Sequence, residues 1–226
     1  MHATPSPRVK ICCIQSQEEA WLAIKYGASA LGLVSAMPSG PGVISEEEIA
    51  EIAAAVPPGV ATFLLTSKQD VDAIIAQHHR CRTNTIQLVD RLEKGRQQEL
   101  RAALPGIGIV QVVHVTGEAS VAEALAVAPH VDTILLDSGD PVSKVKKLGG
   151  TGRTHDWSLS RQIRERVEVP TYLAGGLNPE NVRKAVEQVG PFGLDVCSGV
   201  RVAGRLDESR LRRFCVQLQQ DQRGRG

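Results

Sequence analysis

Short aliphatic and β-branched runs alternate with longer stretches of helical period along the chain, repeating roughly every 25 residues. The apolar runs at 9–14, 30–34, 61–65, 85–88, 107–115, 133–136, 171–173 and 193–196 predict eight strands. Between and after them the period predicts helices over 17–26, 46–56, 71–79, 95–104, 121–127, 158–166, 179–189 and 208–218. Ser16, Ser45, Asp70, Ser120, Asn178 and Asp207 stand where helix caps are expected, and Pro179 suits a first helical position. Strands this short and this apolar are buried on both faces, as in parallel sheets with right-handed crossovers. Eight such units close a (β/α)8 TIM barrel. A doubly wound open sheet is the competing architecture, and no G-x-G-x-x-G follows the first strand to support it.

At 226 residues the chain is expected to be a single barrel domain over 1–226, with flexible termini at 1–7 and 221–226. The connection over 137–156 carries Gly139, Pro141, Gly149, Gly150 and Gly152, and is expected to be a mobile lid. Lysines and arginines total 26 against 25 acidic residues and are scattered, so neither nucleic acid nor a membrane surface is an expected partner. Five cysteines, Cys12 and Cys13 adjacent, do not form the even, spaced framework of a secreted disulfide protein. With no apolar signal core and no run of about eighteen apolar residues, a cytoplasmic location is expected. A monomer or a homodimer is expected.

In a barrel of this kind the chemistry gathers at the C-terminal ends of the strands. The polar residues there are Cys12, Gln87, His114, Asp137, Asp195 and Ser198, and alternation gives Lys10 the same facing as Cys12. Cys12 is a candidate base or nucleophile, or else a buried inert thiol. Asp137 is a candidate proton donor, or else a loop cap. His114 is a ligand-bonding candidate or a satisfied half-buried histidine, and His78 with His79 reads as a solvated helix end. No H-E-x-x-H or C-x-x-C pair occurs, so no metal is expected. Gly-rich turns at Gly175–Gly176 and Ser198–Gly199, each after an apolar run and before a helical stretch, are expected to converge main-chain N–H groups on one phosphate.

V-K-I-C at 9–12, L-L-D at 135–137, G-G-T-G-R-T-H-D-W at 149–157, L-A-G-G-L-N-P-E-N-V at 173–182 and D-V-C-S-G-V at 195–200 together resemble the phosphoribosylanthranilate isomerase family. The resemblance implies a (β/α)8 barrel that performs an Amadori, aldose–ketose rearrangement in tryptophan biosynthesis on a small phosphorylated substrate, with no cofactor. It implies Cys12 as general base, Asp137 as general acid, Gly175, Gly176, Ser198 and Gly199 as the phosphate cradle, and Asp195 near the sugar. Three positions depart from the family pattern. Cys13 stands where a glycine follows the base, the loop M-P-S-G-P-G-V-I-S at 37–45 lacks an arginine, and Q-L-V-D replaces Q-L-H-G so that Val89 occupies a histidine position. The missing arginine is the group expected at the anthranilate carboxylate, and Arg201 or His114 is the expected substitute. Two alternatives remain: a sister isomerase acting on another phosphorylated sugar or sugar amine, and a barrel that binds a phosphometabolite without turnover.

Overall fold

The computed structural model describes residues 6–139 and 154–223. The core of the lid expected over 137–156, most of the G-G-T-G-R-T-H-D-W motif, and the chain ends at 1–5 and 224–226 lie outside the described residues. Eight strands, β1 (Arg8–Ile11), β2 (Ala30–Val34), β3 (Ala61–Thr66), β4 (Thr85–Leu88), β5 (Gly108–His114), β6 (Thr133–Asp137), β7 (Thr171–Leu173) and β8 (Gly193–Val196), pair in that order into a closed barrel. Every pairing is parallel, and β8 returns to β1 in the register Lys10↔Asp195 and Ile11↔Val196. Around it run α1 (Gln17–Lys25), α2 (Glu46–Ala55), α3 (Val71–Cys81), α4 (Gln97–Ala103), α5 (Ala119–Val127), α6 (Trp157–Arg166), α7 (Val182–Val189) and α8 (Glu208–Arg223). None of the described helices is long and apolar enough to cross a membrane.

The period of two along each strand explains the layering. Ile11, Leu31, Leu33, Leu64, Ile86, Leu88, Ile109, Val113, Ile134, Leu136 and Leu194 point outward and pack with the helices. Their neighbours Ala30, Val34, Phe63, Leu65, Val110, Val112, Leu135 and Tyr172 form a second cluster inside the barrel. Gly193 has no side chain because Tyr172 crosses it: a Cβ there would lie 2.4 Å from the tyrosine ring.

Side-chain chemistry sets the helix starts. Ser45 and Glu48 form a reciprocal capping box on α2, and Asp70 accepts from the first N–H groups of α3. Asp207 accepts from Arg210 N, and Ser16 from Glu19 N. Asn178 accepts from the N–H groups of Glu180 and Asn181, but regular helix begins only at Val182, so Pro179 occupies a turn. Ser120 is not a cap. It lies inside α5, where its hydroxyl donates to the carbonyl of His114 and accepts from Thr116 N. His78 is buried, with Nε2 2.7 Å from the Thr83 carbonyl, and only His79 is exposed as a helix-end histidine would be.

Strand β1 stops at Ile11, short of the 9–14 run, because Cys13 has φ 64° and turns the chain out of the ladder. A two-stranded hairpin, Arg201–Val202 with Arg205–Leu206, follows β8 and has no counterpart in the hydrophobic pattern.

Candidate active site

The C-terminal ends of the strands open onto one cavity of about 670 Å³, its open mouth included. Cys12 after β1, Gln87 on β4, Asp137 at the end of β6, Gly175 and Gly176 after β7, and Asp195 with Ser198 from β8 and its turn all line it. Val34, Met37, Leu65, Val89 and Leu135 supply an apolar wall, and the loop after β2 adds Ser39, Gly40 and Pro41. Among the described residues, no lysine or arginine lines this cavity.

Asp137 is 7% exposed. Burial, the largest influence, pushes its pKa above the ordinary carboxylate value, opposed by the nearby His114 ring and by the N–H of Ser138, which donates to Oδ1 at 2.7 Å. A carboxyl whose protonated form is favoured by burial, set at a cavity wall, is equipped to give up a proton.

Lys10 lies wholly inside the barrel, its Nζ 2.9 Å from Asp195 Oδ1 and 5.2 Å from the centre of the Phe63 ring. Burial acts to lower its pKa, yet Asp195, with smaller contributions from Cys12 and Cys13, outweighs this and leaves it above the usual lysine value. The ammonium therefore stays charged beneath the cavity floor, beside the sulfur of Cys12.

Space for that sulfur comes from Gly32 on β2. A Cβ at this glycine would sit 2.8 Å from Cys12 Sγ and 3.1 Å from Lys10 Nζ. Gly32→Ala is therefore expected to displace the thiol and lower turnover by roughly tenfold or more, since sub-ångström placement governs such groups. Steady-state kinetics beside a thermal melt checks this, the melt changing much less than kcat.

The left-handed backbone at Cys13 costs a non-glycine residue about 1–2 kcal/mol and accounts physically for a glycine being usual there. The Cys13 side chain is covered by the loop after β2: a Cβ on Gly42 (φ 79°) would fall 2.5 Å from Cys13 Cβ.

The two glycine turns meet. A Cβ on Gly199 would lie 2.0 Å from the Leu177 carbonyl oxygen, so the turn after β8 rests directly on the turn after β7. Gly175 and Gly176 both have positive φ, at 81° and 64°, and a Cβ on Gly175 would crowd Ser138 Oγ at 2.8 Å and His155 Nδ1 at 3.1 Å. The N–H groups of Gly176, Ser198 and Gly199 donate to no main-chain carbonyl among the described residues. Gly199 itself lies behind the cavity wall, and Ser198–Val200 is a single 3-10 turn.

Two sequence expectations fall elsewhere. Arg201 does not reach the cavity. Its guanidinium is paired with Glu19 at 2.8 Å and donates to the carbonyls of Cys12, Cys13 and Gly204, because the chain reverses after β8 and turns the side chain towards α1. His114 lies behind Val89, its Nε2 3.2 Å from the Val89 carbonyl, and does not line the cavity. Neither side chain lines the cavity that the 37–45 loop helps to wall. Cys197 and the wall residues Met37 and Leu65 went unmarked in the sequence, because a cysteine or an aliphatic side chain in an apolar run carries no signal until the strands close.

A parallel (β/α)8 barrel with a thiol, a shielded carboxyl and paired glycine turns at one mouth has the layout of a barrel enzyme, whose chemistry gathers at the C-terminal ends of the strands. The family model described as N-(5'phosphoribosyl)anthranilate (PRA) isomerase matches residues 9–217. The chain belongs to this family of aldose–ketose isomerases. It is 36% identical over 209 residues to N-(5'-phosphoribosyl)anthranilate isomerase of Haloferax volcanii, covering 92% of this chain and 90% of the relative. The crystal structure of phosphoribosyl anthranilate isomerase from Thermotoga maritima is 33% identical, with a TM-score of 0.79, over 95% of this chain and 99% of that one. A phosphoribosyl anthranilate isomerase crystallised with reduced 1-(o-carboxyphenylamino)-1-deoxyribulose 5-phosphate is 31% identical, with a TM-score of 0.76 over 95% and 99%.

Proposed function

We propose that this chain performs the Amadori rearrangement of N-(5'-phosphoribosyl)anthranilate, with Asp137 as general acid and Cys12 as general base. The observation that carries the residue roles is that the two side chains line one cavity from β6 and β1, at the end where the glycine turns converge. Asp137 gives its proton to the furanose ring oxygen, and the ring opens to a Schiff base. The Cys12 thiolate takes the proton from C2, and the resulting enolamine tautomerises to the ketone. Main-chain N–H groups of Gly176 and Ser198 hold the phosphate, with Gly175 keeping the turn tight and Gly199 letting the second turn rest on the first. Asp195, paired with Lys10, accepts from a sugar hydroxyl, Gln87 offers its amide to the same sugar, and the wall of Val34, Met37, Leu65 and Val89 takes the aryl ring.

The absence of lysine and arginine from the described lining favours a second reading, the same rearrangement on a phosphorylated sugar amine without a carboxylate. Purified-enzyme kinetics on N-(5'-phosphoribosyl)anthranilate, with complementation of a tryptophan auxotroph lacking its isomerase, separates the two. Turnover and growth support the first reading, and a folded but inactive protein supports the second.

The phosphate cradle has its own test. Gly176→Val forces a β-branched residue into left-handed backbone at the cavity wall and is expected to weaken competition by inorganic phosphate about tenfold or more. Unchanged competition would place the phosphate elsewhere.

A further inference from the structure

Cys13 and Cys197 are the two thiols at this mouth that the reaction leaves unused, and their sulfurs lie 2.6 Å apart. They continue adjoining strands just past the pairing Ile11↔Val196, where Cys12 N still donates to the Val196 carbonyl at 2.9 Å. Neighbouring strands run about 4.8 Å apart, inside the Cα separation that a disulfide requires. Both are free thiols, and both line the cavity. We propose that Cys13 and Cys197 form a dithiol modification site, which a small-molecule disulfide converts into an intramolecular disulfide across the β1–β8 seam.

The two sulfurs have different parts to play. Cys13 is 4% exposed, lies under Gly42, and has its pKa raised by hydrogen bonding with the sulfurs of Cys12 and Cys197 and by burial. Cys197 is only partly buried, and its pKa is lowered, chiefly by its hydrogen bond with the Cys13 sulfur and also by the charge of Arg201. Cys197 is thus the attacking thiolate and Cys13 the resolving thiol. Cys197 attacks one sulfur of the small disulfide, breaking its S–S bond, and the first small thiolate leaves and takes up a proton. Cys13 then loses its proton and attacks the Cys197 sulfur, the Cys13–Cys197 bond forms, and the second small thiol leaves. The protein dithiol is oxidised by two electrons, and the reagent is reduced to two thiols.

Cys81 and Cys215 are buried and sit apart from this site, their pKa values pushed up by burial to about 12 and about 11, so they stay thiols. The bond would join the residue after Cys12 to the residue before Ser198, covalently linking the two flanks of the cavity. The inference does not depend on which reaction the cavity performs.

The test treats the reduced full-length protein with oxidised glutathione. Two of the five thiols are expected to disappear on titration after denaturation, and a non-reducing peptide map is expected to link the peptides of Cys13 and Cys197. The melting temperature should rise by several degrees and fall back with dithiothreitol, because the cross-link closes most of the chain into a loop. Cys13→Ser should stop at a stable glutathione adduct on Cys197. Loss of no thiols, a Cys12–Cys13 link instead, or a Cys13→Ser protein without the adduct would each overturn the proposal.

Discussion

Cys12→Ala and Asp137→Asn are each expected to lower turnover about a hundredfold or more, the usual loss when a positioned acid or base is removed. Both side chains are small and line the cavity, so neither variant should melt well below the parent, and phosphate competition should stay close to the parent's. Cys13→Gly removes the left-handed strain one residue away and should cost far less turnover than Cys12→Ala. If it proves as damaging, the base is Cys13 rather than Cys12.

The pH behaviour of Asp137 carries a sign that can be checked. Its folded pKa lies above the ordinary carboxylate value because burial disfavours the ionised form. The folded state therefore binds this proton more tightly, which adds stability below the unfolded pKa and is lost as pH rises through the folded one. Turnover that needs the protonated acid should fall over the same rise, and Asp137→Asn should abolish that limb of the profile. At neutral pH Asp137→Asn should melt above the parent, and the gain should vanish below about pH 4, where both proteins are neutral at this position.

The largest stability effect is expected at Lys10 and Asp195. Lys10 is fully enclosed and Asp195 nearly so, with 2.9 Å between them. Asp195→Asn leaves a buried ammonium without its counter-charge, a change that typically costs about 3–5 kcal/mol. Set against the roughly 5–15 kcal/mol that holds a domain folded, this is a large share. Lys10→Met combined with Asp195→Val removes both charges and should recover most of the loss, because well-packed apolar pairs often match buried ion pairs. Urea unfolding of the single and double variants measures the difference. Equal destabilisation by both would show that the pair is held by packing rather than by charge.

Much of the barrel could be read from the strand runs, since each is short, mostly aliphatic and bounded by turn residues. Cys12, Asp137, Gln87 and the glycine turns were legible for a related reason: a polar or small residue ending an apolar run is conspicuous, and barrel geometry says which end it occupies. The pairing of Lys10 with Asp195 was not legible, because it depends on the register between the first and last strands. Arg201 misled for the same reason. Beside a phosphate-like turn it reads as a ligand, but its direction is decided by Glu19 on α1, 182 residues away in sequence. The hydrophobic pattern does not mark Cys13 as left-handed either; the one hint in the sequence was the glycine that the family pattern carries at this position.

The Arg201 clamp bears on the order in which this chain is organised. The segment carrying the proposed base leaves the ribosome well before the residues that steady it, which lie in or after β8: Arg201 on the carbonyls of Cys12 and Cys13, and Asp195 on Lys10. A nascent chain halted before β8 has neither contact and holds Lys10 without its carboxylate. Contacts of such long sequence separation form late because loop closure precedes them. The catalytic mouth is thus expected to be completed at the end of folding, and loss of the C-terminal segment would disarm residue 12 without touching it.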